Sequence, residues 1–152
     1  MRLSPLILVL TAACAPQGDL RTAQPGYVDQ EVSDAHADEA FAQAAADFDV
    51  PVEILQAIAM AETGMQMVVG EEEFEGRPVA WGLMALRDDL VETAAALAGV
   101  DPDDARTQRE ANIAAAAALL GSWAEESALS RRRLEDWAPL VARYSGIEEE
   151  NG

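Results

Sequence analysis

Val50-Pro51-Val52-Glu53-Ile54-Leu55-Gln56-Ala57-Ile58-Ala59-Met60-Ala61-Glu62-Thr63-Gly64 is the stretch on which the reading of the chain turns. Leu55, Ile58 and Ala59 recur at helical spacing, and Glu62 is the next residue on that face. Pro51 suits a first helical turn, where its missing N–H would be unpaired in any case, and Gly64 supplies the backbone freedom on which helices commonly stop. Glu62 is therefore expected in the last turn, closing an apolar stripe with a carboxyl group. The negative end of the helix dipole and apolar neighbours both disfavour a charged carboxylate there, which is what a general acid needs. The competing reading is a surface glutamate at a helix end, where most glutamates lie.

A chain of 152 residues, 50% of them hydrophobic, is long enough for one domain with its own core and too short for two ordinary ones. Its 10 basic residues, all arginine, face 28 acidic ones, for a net charge of −18. Such a surface repels nucleic acid and anionic head groups, so neither is an expected ligand. One cysteine and one histidine, Cys14 and His36, rule out an internal disulfide and leave too few ligands for a His/Cys zinc site. The acidic runs lack the Asp-x-Asp-x-Asp-Gly spacing of a calcium loop, so no metal or cofactor is expected.

Met1-Arg2, the apolar run Leu3 to Leu10 and the small residues before Cys14 have the parts of a secretory signal over residues 1–13, too short to span a membrane. The cysteine after Ala12-Ala13 resembles a bacterial lipobox, with Thr11 where that pattern has leucine. The resemblance implies export to the periplasm and a membrane anchor through lipidation of Cys14. Residues 14–33 carry Pro16, Gly18, Pro25 and Gly26 among polar residues and read as a flexible tether. A helical domain is expected over 34–147, followed by an acidic tail over 148–152.

Within that domain a first helix is expected from Asp34 to Phe48, with His36 exposed in its first turn. Met65 to Trp81 holds Gly70, Gly76, Pro78 and the run Glu71-Glu72-Glu73-Phe74-Glu75, and reads as a long loop or short hairpin. Trp81-Gly82-Leu83-Met84-Ala85-Leu86 mixes large apolar residues with a glycine, which suggests backbone brought close to a ligand or a neighbouring helix. A third helix from Asp88 stops at Gly99, and Asp101-Pro102 begins a short helical turn. Thr107-Gln108-Arg109-Glu110 fits a capping box opening a long Ala-rich helix, apolar enough all round to be central and buried. Arg131-Arg132-Arg133 reads as a solvated helix end, with contact to an anionic wall polymer as the other reading. Asp136 is expected to cap a last helix through Trp137, Leu140, Val141 and Tyr144 that ends at Gly146. With no strand-rich region, the class is all-α.

Four separated pieces together resemble the catalytic domain of lytic transglycosylases, the goose-lysozyme-like enzymes that cleave peptidoglycan. Ile54 to Gly64 is similar to the family's helix ending in Glu-Ser-Gly, with Thr63 in the serine's place; Gly82-Leu83-Met84-Ala85-Leu86 is similar to its Gly-Leu-Met-Gln-Leu motif. Asn112-Ile113 and the alanines after it resemble the helix beneath the cleft, and Ala142-Arg143-Tyr144-Ser145-Gly146 resembles Ala-x-Tyr-Asn-x-Gly. The order and approximate spacing agree over about residues 36 to 147. A variant of this domain found ahead of amidase domains in some bacterial wall enzymes also resembles the chain.

The resemblance implies a single lysozyme-like domain that acts on peptidoglycan glycan strands. It implies Glu62 as the acid that cleaves the β-1,4 bond between N-acetylmuramic acid and N-acetylglucosamine, leaving a 1,6-anhydro end. It places Thr63, Gly82, Met84, Tyr144 and Ser145 at substrate-binding positions. Ala85 and Ser145 stand where the family has glutamine and asparagine, so two polar contacts to sugar are absent or shortened. Those departures keep open a peptidoglycan-binding or scaffold lipoprotein of the same fold with little or no catalysis, and a helical module that acts only with a partner enzyme.

Overall fold

In the computed structural model, which describes residues 25–71 and 78–146, with side chains from residue 36 to 70 and from 78 onward, the longest stretch of uncharged small residues sits at the centre. Helix α5, Arg109–Glu126, has eleven of its residues buried, among them Ile113, Ala116, Leu119, Leu120 and Trp123. Its alanines keep its surface shallow, so other helices approach closely. At Gly121 a side chain would meet the carbonyl oxygen of Phe48 at 2.7 Å. Around α5 pack α1 (Pro25–Phe48), α2 (Val52–Thr63), α3 (Asp88–Ala98), α4 (Pro102–Thr107) and α6 (Ala138–Tyr144). Phe41, Leu55, Ile58, Leu83, Leu86, Val91 and Trp137 fill the core between them.

Between α2 and α3 lies a small antiparallel sheet of β1 (Val68–Glu71), β2 (Ala80–Gly82) and β3 (Leu86–Arg87), in that order. Val69 stands opposite Trp81, and Trp81 opposite Leu86. The molecule is thus mostly helical with one short sheet, and the hairpin reading of Met65 to Trp81 is the one that holds. The residues of strands two to four long carry too little alternation to announce themselves.

Other local expectations need correction. Helix α1 starts at Pro25, not Asp34, so residues 25–33 of the expected tether are helical. Proline at a first helical position is preset for the turn, and no further proline or glycine follows Gly26 until the next loop. The capping box at Thr107 does not form: α4 runs through Thr107, whose hydroxyl donates back to the Asp103 carbonyl at 2.7 Å. Asp136 caps nothing, because it lies inside a 3-10 turn, Leu134–Trp137, ahead of α6. Arg131 is no solvated end: it reaches Asp49 Oδ2 at 2.7 Å and the Gly121 carbonyl at 3.0 Å, tying the α1–α2 turn to α5. The signal segment, Cys14, the remaining tether and the tail over 148–152 lie outside the described residues, as do Glu72, Glu73, Phe74 and Glu75.

Candidate active site

Glu62 ends α2 as its spacing requires. Gly64 follows in the left-handed region at φ 60°, and its N–H bonds to the Met60 carbonyl at 3.2 Å. The next N–H, that of Met65, reaches the Ala59 carbonyl at 3.2 Å, so two carbonyls of the last turn are satisfied by the chain reversal itself. Thr63 Oγ1 lies 2.8 Å from the Ala59 carbonyl and 2.7 Å from that of Leu83. Its one proton can be given to either carbonyl, and the bond to Leu83 ties the end of α2 to the turn between β2 and β3.

That turn, Gly82 to Ala85, is held from below by Asn112. The amide is fully buried: Oδ1 accepts from the Met84 N–H at 2.8 Å, and Nδ2 donates to the carbonyls of Trp81 at 3.0 Å and Ala105 at 2.7 Å. Gly82 has φ 72°, and a Cβ there would sit 2.2 Å from the Asn112 amide carbon. The neighbour that the glycine admits is therefore a helix side chain. Ala85 has φ 48°, and its side chain is buried.

Above this platform the groups converge. Tyr144 Oη donates to the Met84 carbonyl at 2.8 Å from an almost fully buried ring that meets Trp123 edge-on, with centroids 6.5 Å apart. Arg87, on β3, extends its Nη2 to within 3.4 Å of Glu62 Oε2, and the two side chains are only 8% and 15% exposed. Burial holds the Tyr144 phenol far above its ordinary range; the Glu62 charge pushes the same way and Arg87 opposes it. The phenol is neutral at any ordinary pH and sits within the field of the Glu62–Arg87 pair.

Of the residues singled out from sequence, Glu62, Thr63, Gly82, Met84 and Tyr144 meet around this turn. Met84 and Gly82 are buried and serve through their backbones. Ser145 faces elsewhere, into a groove of about 460 Å³ lined by Ile54, Ala57, Ile58, Ala61 and Val141. Glu62 is not among the residues that line this groove. Arg87 and the bridging role of Asn112 were missed. The one signal for Asn112 is a lone amide in a run of apolar residues; for Arg87 it is a lone cation at the end of an apolar strand. Among the described residues no cluster of three or more His, Cys, Asp or Glu side chains could hold a metal ion.

No family model matches this chain, and neither the curated proteins nor the solved structures yield a match.

Proposed function

We propose that this chain is a lysozyme-like lytic transglycosylase that cleaves peptidoglycan glycan strands with Glu62 as acid and base. One observation carries the reading: a largely buried carboxyl group in the last turn of α2, paired with Arg87, lies within the field of a neutral, buried phenol that is itself anchored to the Gly82–Ala85 turn. Glu62 gives its proton to the glycosidic oxygen, and the bond from C1 to that oxygen breaks with the electron pair on the leaving group. The carboxylate then takes the proton of the muramoyl C6 hydroxyl as its oxygen bonds to C1. One carboxyl group completes the cycle, whereas hydrolysis needs a second to activate water or attack the sugar. Export, with Cys14 as lipid anchor, belongs to the same proposal. Cleavage in heavy-oxygen water tests it: a transglycosylase product carries no solvent oxygen, and a hydrolase product carries one at muramoyl C1.

A second reading has its own support. The Glu62 carboxyl already has a cationic partner, and the buried methyl of Ala85 offers sugar no hydrogen bond. Both suit a glycan-binding protein of the same fold without turnover. Equal retention on peptidoglycan by the native protein and Glu62→Gln, with no cleavage by either, identifies it.

A further inference from the structure

We propose that Arg87 is a positioning residue for Glu62, holding the carboxyl group in place and standing as its counter-charge between the two proton transfers of the cleavage. The inference rests on the transglycosylase reading and adds a cation beside the acid that the motifs do not contain.

Arg87 is itself firmly placed. Its backbone pairs with Ala80 across the sheet, and it immediately precedes α3, whose first residue sends its N–H to the Val79 carbonyl at 3.0 Å. The backbone that carries the guanidinium is therefore fixed in the sheet, and the one that carries Glu62 in the last turn of α2. Their contact runs from Nη2 to Oε2 at 3.4 Å, longer than the ~2.9 Å of a tight charge-assisted bond. The phenol of Tyr144 feels both charges with opposite sign, so acid, cation and phenol form one local set.

The role follows from where charge appears. The cycle needs a proton on Glu62 at its start, leaves a carboxylate when the glycosidic oxygen takes that proton, and restores it once the C6 hydroxyl proton arrives. No atom enters from solvent. A fixed cation beside it favours the intermediate anion over the starting acid and needs no reorganisation at the moment of transfer. It thus assists donation of the first proton and keeps the carboxylate aimed at the second.

The test is kcat and KM for release of anhydro ends from isolated glycan strands by the native protein, Arg87→Met and Arg87→Lys, with thermal melts to show that each folds. Arg87→Met is expected to lose about tenfold to a hundredfold in kcat, with KM changed less than about twofold, and Arg87→Lys to recover most of the loss. Where the Met variant does not fold, Arg87→Gln removes the charge and keeps a donor, with the same expectation. An unchanged or raised kcat, or a rise in KM alone, overturns the positioning role. If the native protein releases no anhydro ends, the transglycosylase reading fails and this role with it. A native protein that works, beside an equally active Arg87→Met, defeats the positioning role alone.

Discussion

At the scale of single residues, Tyr144 is the most informative. Removing its hydroxyl in Tyr144→Phe leaves the Met84 carbonyl buried without that donor, which should cost about 1–2 kcal/mol in a urea titration. The phenol also predicts a direction with pH. Its folded value is raised above the ordinary 10.0, so its contribution is complete below that pH and is lost as the unfolded chain ionises above it. Stability measured from pH 9 to about 11 should fall more steeply for the native protein than for Tyr144→Phe. Gly82 is the other sensitive point. Gly82→Ala combines a positive φ with a Cβ 2.2 Å from the Asn112 amide, and a loss of about 3 kcal/mol is expected in the same titration. A loss under about 1 kcal/mol would mean that the turn can move away from α5.

At the scale of elements, Asn112 joins three that are distant in sequence: α5, the end of β2 with the turn after it, and α4 through Ala105. Asn112→Ala strands one N–H and two carbonyls, and a loss of about 3–5 kcal/mol is expected, read as a drop in thermal midpoint. How much of this was legible depends on range. The stripe ending in Glu62, the stop at Gly99 and the central burial of α5 are local patterns, and all stand where spacing puts them. The capping box failed because α4 continues through Thr107, and the sheet was missed as a sheet because pairing, not alternation, defines such short strands. The Arg87–Glu62 contact spans 25 positions and is made by the β2–β3 pairing, which no window of sequence contains.

At the scale of the molecule, a net charge of −18 on 152 residues opposes compaction through self-repulsion. Salt from about 0.01 M to about 0.5 M shortens the screening length from about 30 Å to a few Å, so the thermal midpoint should rise across that range. A midpoint that falls instead would show that ion pairs such as Arg131–Asp49 and Arg106–Glu92 outweigh the repulsion. The central claim is that Glu62 performs the cleavage, and mass spectrometry of the soluble products after incubation with insoluble peptidoglycan tests it most directly. 1,6-Anhydro-muropeptides are expected from the native protein and none from Glu62→Gln of equal thermal midpoint; anhydro products in equal amount from both would remove Glu62 from the chemistry.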